Sequence, residues 1–112
     1  MKDDKTYLNH IMECIQRIEE NVAGGHKQFI GSHILQDAVL RNLQTMSEAT
    51  QRLSDAAKAS QPHIEWRRIG AFRNVLVHNY LGIDLESIWE IIQRDVAELK
   101  SAIVAMLGHS EK

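Results

Sequence analysis

A chain of 112 residues fits one domain and can bury a single core. With 44% hydrophobic and 25% charged residues and a net charge of −2, it is ordinary for a soluble protein and too acidic to hold long nucleic acid by bulk electrostatics, though a small local site stays open. One proline and six glycines leave long stretches without a breaker, which favours helices over a many-turned β fold.

The first predicted helix runs from about Lys5 to Val22, with Leu8, Ile11, Ile15, Ile18 and Val22 in a 3, 4, 3, 4 stripe. Cys14, the one cysteine, has Ile11, Ile15 and Ile18 as neighbours and reads as a packed thiol. Having no partner for an internal disulfide, it suits a reducing compartment. Ala23-Gly24-Gly25 ends the helix, and a polar connection extends to about Gly31. Ser32 is the expected N-cap of a second helix, His33 to Leu53, whose stripe is Leu35, Val39, Leu43, Met46, Ala49 and Leu53. Asp37–Arg41 and Glu48–Arg52 are expected as i,i+4 ion pairs along it. Ser54 to Pro62 reads as a connection with room for a continued helical turn.

The third helix is expected over Ile64 to Leu81, ending at Gly82. Asp84 then caps a fourth, with Ile83 and Ile88 placed for a hydrophobic staple. Leu85, Ile88, Ile92, Val96, Leu99, Ile103 and Met106 form its stripe, and Gly108 closes it. Four amphipathic helices with no strand signal predict an all-α antiparallel four-helix bundle, residues 1–112 as one domain. No apolar run approaches the ~20 residues needed to cross a bilayer. The N-terminal MKDDKTY lacks a signal-peptide core, so a cytoplasmic protein is expected.

The third helix contains Arg73-Asn74-Val75-Leu76-Val77-His78-Asn79-Tyr80. With Arg73 as the origin of a helical wheel, Ile69, Phe72, Val75 and Leu76 fall at about 200–320°, a core-facing arc. Asn74 lies at about 100°, His78 at about 140° and Tyr80 at about 340°. Arg73 and His78 are separated by about 7.5 Å along the axis and by about 140°, so they converge only on something lying across the helix. Val77 and Leu81 are apolar within this polar arc, which suggests that a second copy of the chain covers it and brings two such sets to one cleft.

Histidine moves protons near neutral pH, and arginine grips phosphate in a fork. Together they suit cleavage of an RNA phosphodiester by its own 2′-hydroxyl, with Arg73 stabilising transition-state charge and Asn74 supporting the ring or the substrate. The same residues also read as solvated or capping groups. His10, His26, His33, His63 and His109 show no clustered ligand spacing, so no metal is expected. Lys58, Arg67, Arg68 and Arg73 oppose only Glu65 between Lys58 and Tyr80, so a basic patch is expected there, unless Arg67 and Arg68 pair with the acidic fourth helix.

The stretch from Arg73 to Tyr80 matches R-x-x-x-x-H-x-Y and resembles the signature of HEPN domains, in particular the HepT branch. Leu35 to Leu43, Ser47-Glu48-Ala49, Glu65 to Ile69 and Tyr80 to Asp84 resemble that branch too, so the similarity covers nearly the whole chain. It implies an all-helical homodimer with a composite cleft and a metal-independent endoribonuclease toxin of a type VII toxin–antitoxin system, needing no cofactor. RNA is the implied substrate, and neither DNA nor membrane is expected. The implied partner is a minimal nucleotidyltransferase of the MntA type, an antitoxin that transfers AMP to the motif tyrosine. Carried over, Arg73 and His78 are the catalytic pair, Asn74 supports them and Tyr80 is modified.

One departure is Ser47, where glycine is expected before the glutamate; serine is small enough to preserve close helix packing. Asp37 and Glu48 either border the cleft or make surface ion pairs, and Trp66 is expected to pack as core rather than stack on a base. Two other readings remain: a non-catalytic module that presents substrate or nucleotide to the nucleotidyltransferase, and a purely structural dimeric bundle.

Overall fold

The computed structural model describes the backbone of residues 2–78 and 84–110 and the side chains of residues 3–73 and 84–108. The described residues form α1 (Lys2–Asn21), α2 (His26–Ile30), α3 (His33–Gln51), α4 (Asp55–Ala59), α5 (Trp66–His78), α6 (Leu85–Glu90) and α7 (Ala97–Ser110). A π-helical segment, Ile91–Val96, joins α6 to α7. No strand occurs among the described residues, so the all-α expectation holds. None of the described helices is long and apolar enough to cross a membrane.

The α1 stripe does what its spacing requires. Leu8, Ile11, Cys14, Ile15 and Ile18 are buried, and α1 packs against α3 and α7. Full burial of one such aliphatic side chain stabilises the fold by roughly 1.5–3 kcal/mol. Val39, Leu43, Met46 and Ala49 answer from α3, Val96 from the end of the π-helical segment, and Leu99, Ile103 and Met106 from α7. Burial raises the Cys14 thiol above its ordinary pKa, as a packed cysteine requires.

The caps at both expected positions form. Ser32 Oγ accepts from the Leu35 N–H at 3.3 Å, and Asp84 accepts from the Glu86 N–H at 3.0 Å and the Ser87 N–H at 3.4 Å. The Ser87 hydroxyl also donates to Asp84 at 2.9 Å and holds that carboxyl below its usual range.

Three expectations are corrected. The polar connection before Gly31 contains α2, whose Phe29 is fully buried and sits 5.6 Å, ring to ring, from Trp89. Entry into α2 needs φ of +95° at Gly25, which glycine adopts without a Cβ clash. The Ser54 to Pro62 stretch holds a separate helix, α4, rather than a continued turn of α3. Ser54 caps α4 by accepting from Ala57 N–H at 3.1 Å. Its own N–H and hydroxyl donate to the Asp4 carboxylate at 2.8 and 2.7 Å, tying α4 to the start of α1. Gly108 does not close the last helix, which continues to Ser110.

The π segment has a reason in the stripe. Ile88, Ile92 and Val96 are spaced 4, 4, and eight residues at about 100° each overrun two α-turns by about 80°. Wider i→i+5 turns take up part of that overrun and keep all three residues buried. The expected helix end at Gly82 and the staple through Ile83 lie outside the described residues.

Candidate active site

Helix α5 carries the motif from Arg73 through His78, and its start is fixed by Trp66. The indole Nε1–H lies 3.0 Å from the Lys58 carbonyl and 3.2 Å from that of Gln61, which anchors the α4–α5 connection. Trp66 is half-buried and packs against the core, as expected. Ile69 and Phe72 are buried further along the helix.

Helix α5 crosses α3 closely because both helices carry small residues at the crossing. Ser47 is completely buried there. Its hydroxyl lies 2.9 Å from both the Ile69 and the Gly70 carbonyls, sharing one proton between them, and accepts from the Arg73 N–H at 3.3 Å. Gly70 leaves room at the crossing for Gln51, since a Cβ there would stand 3.2 Å from Gln51 Nε2. Gln51 donates that amide to the Gly70 carbonyl at 3.3 Å. The serine that departs from the expected glycine therefore preserves close packing and adds a clasp at the backbone of Arg73.

The crossing decides where Glu48 goes. Neither expected i,i+4 pair forms: Asp37 is exposed and makes no ion pair among the described residues, and Glu48 does not pair with Arg52. Glu48 reaches across the seam instead and meets Arg73 Nε at 3.2 Å, with both side chains about half exposed. A surface pair of this kind contributes about 0.2–1 kcal/mol to stability. Its larger consequence is orientation. The contact uses Nε, so the four N–H donors on the two Nη atoms are not used by it.

On its other side Glu48 lines a groove of about 220 Å³ with Tyr7, His10, Thr45, Ala49 and Arg52. Tyr7 and His10 carry no motif signal in the sequence, because only tertiary packing of α1 on α3 brings them here.

Arg67 and Arg68 part company. Arg68 Nη2 and Nε donate to the Asp95 carboxylate at 3.1 and 3.3 Å, and its guanidinium lies 5.9 Å from the centre of the Phe72 ring. That carboxylate raises the Arg68 pKa further. Arg67 is exposed and makes no ion pair among the described residues. The pairing alternative thus holds for Arg68 alone.

The backbone of Asn74 and His78 continues α5, which keeps His78 five residues and about 7.5 Å beyond Arg73 along one axis. Their side chains lie outside the described residues, and so does the whole of Tyr80. Among the described residues no three of His, Cys, Asp or Glu converge as metal ligands would.

The all-helical fold of the described residues and the run of the motif through His78 on α5 fit the resemblance to HEPN proteins, and the comparisons with known proteins agree. The ribonuclease HepT-like family profile matches residues 11–106, and the chain belongs to that family, the HepT type of HEPN proteins. A Methanocaldococcus jannaschii protein named "Gamma-glutamylcyclotransferase and putative RNase MJ0434" is 36% identical over 112 residues, which are 99% of this chain and 50% of that protein. The chain therefore spans half the length of that relative. The "Probable ribonuclease HepT" of Thermococcus cleftensis is 32% identical over 100 residues, 88% of this chain and 91% of its own. "Putative RNase TTE0752" of Caldanaerobacter subterraneus is 29% identical over 108 residues, 96% of each chain. No solved structure matches the chain significantly.

Proposed function

We propose that the protein is a metal-independent endoribonuclease toxin, acting as one domain, in which Arg73 and His78 form the catalytic pair and Asn74 supports them. The observation that carries this reading is the posture of Arg73: a half-exposed guanidinium held through Nε by Glu48, its Nη donors not spent on that contact, five residues ahead of a histidine on the same helix.

The chemistry follows from those groups. An imidazole removes the proton from an RNA 2′-hydroxyl, and the resulting oxygen attacks the adjacent phosphorus. The bond to the 5′ oxygen breaks, and that oxygen takes a proton from an imidazolium. A 2′,3′-cyclic phosphate and a 5′-hydroxyl end result. Arg73 holds the non-bridging oxygens as their charge grows.

The bundle works as a homodimer in this reading. By spacing, Val77 and Leu81 are apolar positions in the arc of Arg73 and His78, and a second copy covering them yields a composite cleft with two catalytic sets. Control comes from a nucleotidyltransferase antitoxin of the MntA type. The Tyr80 hydroxyl attacks the α-phosphorus of ATP, pyrophosphate leaves, and the added AMP places a negative phosphate beside Arg73 and His78, repelling an RNA backbone.

The test is cleavage of total RNA by the purified protein and by His78→Ala. The wild type is expected to cut and the variant to lose at least about 100-fold in rate, the usual contribution of an acid–base group. Equal survival of RNA with both proteins would favour the other reading, a binding module that presents nucleotide or substrate to the nucleotidyltransferase.

A further inference from the structure

The seam between α3 and α5 carries a second feature that the motif does not account for. A groove of about 420 Å³ is lined by Gln51, Lys58, Trp66, Arg67, Gly70 and Ala71. Its described lining residues include two cations and no carboxylate. Among the described residues neither Lys58 nor Arg67 makes an ion pair.

The other two grooves described on this chain differ. The one beside Arg68 includes Glu65, Glu98 and Asp95, and its guanidinium is taken by Asp95. The one beside Tyr7 includes Glu48.

The position of the basic groove is as telling as its charge. With Arg73 as the origin of the wheel, Trp66 falls at about 20°, Gly70 at about 60°, Arg67 at about 120° and Ala71 at about 160°. Asn74 and His78 fall at about 100° and about 140° on the same scale. The groove therefore occupies the arc of α5 that carries the motif, about seven residues or about 10 Å toward the N-terminus. Gly70, without a side chain, keeps the floor low between the two, and Gln51 stands one turn from Glu48, the partner of Arg73.

We infer that this groove is an RNA-backbone subsite, in which Lys58 and Arg67 hold phosphates flanking the linkage that Arg73 and His78 attack. The inference rests on the ribonuclease reading and gives the enzyme a reason to prefer a single strand several nucleotides long. It also reconciles a net charge of −2 with a polyanionic substrate, because the attraction is local. Trp66 contributes shape here, since its N–H is engaged by the Lys58 and Gln61 carbonyls.

The test uses a fluorescein-labelled, mixed-sequence 12-nucleotide RNA and the full chain in a His78→Ala background, so that the probe is not cut. Binding is measured by anisotropy across a range of KCl. One protein adds Lys58→Ala and Arg67→Ala. A second adds Lys27→Ala and Arg94→Ala, which removes the same two charges from exposed positions outside the three grooves. Each single-strand phosphate contact contributes about 0.7 to the slope of log affinity against log salt. Loss of two flattens the slope by about 1.4 and weakens binding at about 0.1 M salt by roughly 25-fold. The control pair is expected to keep the affinity and slope of the His78→Ala parent. Equal losses in both pairs, or no loss in the Lys58/Arg67 pair, would overturn the subsite; circular dichroism confirms that each protein is folded. Cleavage of the same RNA by the wild type is run alongside. If the wild type cuts but the Lys58/Arg67 pair binds normally, the subsite fails while the ribonuclease reading stands. If the wild type does not cut, the ribonuclease reading is what fails.

Discussion

Replacing Ser47 with leucine puts a branched four-carbon side chain where a hydroxyl now touches the backbone of α5. Ser47 has no exposure, and its oxygen lies 2.9 Å from the Ile69 and Gly70 carbonyls. Overpacking a closed site costs about 1–3 kcal/mol, and the lost hydrogen bond adds about 1. The expected loss is therefore about 2–4 kcal/mol, a large share of the roughly 5–15 kcal/mol typical of a domain. At about 4 °C per kcal/mol for a chain near this size, the midpoint falls by roughly 8–16 °C. Ser47→Ala loses the same hydrogen bond but gains about 0.5 kcal/mol of helix propensity, so it stays within about 0.5 kcal/mol of the wild type. Thermal melts followed by circular dichroism at 222 nm read both variants. Cleavage assays below the leucine variant's melting temperature should show it impaired and the alanine variant active, since only leucine pushes α5 and Arg73 away from α3. A leucine variant melting within about 2 °C of the wild type would refute the tight crossing.

Asp4→Asn weakens the tie between α1 and Ser54 by about 1 kcal/mol at neutral pH. The Ser54 hydroxyl and N–H hold the Asp4 carboxyl below its ordinary value of 3.8, so the stabilisation is complete above that value and fades as pH falls through the lowered one. Urea denaturation at pH 7 and at pH 2–3 should show the two proteins converge in acid; a constant gap would contradict the assignment. Cys14, buried and with its thiol pKa raised, should react with a maleimide or an aromatic disulfide only on unfolding, and prompt labelling of the native protein would show the packing to be wrong. Incubation with a cognate nucleotidyltransferase and ATP should add the mass of AMP to the wild type and not to Tyr80→Phe. A phenylalanine variant that gains the same mass would remove Tyr80 as the acceptor.

Much of the fold is legible in the sequence because burial follows helical periodicity. The stripes of α1, α3 and the C-terminal helix are buried nearly residue for residue, and Ser32 and Asp84 cap where their side chains allow. Helix α2 escapes because five residues are too few to show a period, so Phe29 reads as an isolated aromatic in a polar loop. Gly108 misleads because a glycine late in a helix is a frequent but not obligatory stop.

At the site, Arg73 is legible from its motif, and its partner is not. Glu48 has a correctly spaced arginine, Arg52, on its own helix, and only the close crossing at Ser47 and Gly70 makes Arg73 the nearer cation. The same limit separates Arg67 from Arg68: adjacent residues on a helix point about 100° apart, and only one of them faces Asp95.

The most direct measurement of the central claim is a double-mutant cycle on RNA cleavage in EDTA, with the product ends identified. Wild type should cut and leave 2′,3′-cyclic phosphate and 5′-hydroxyl ends. Arg73→Ala and His78→Ala should each lose at least about 100-fold, and the double variant should be no more than about tenfold slower than the worse single, because the two groups serve one step. Full-rate cleavage by either single variant, or activity that vanishes in EDTA and returns with a metal ion, would contradict it.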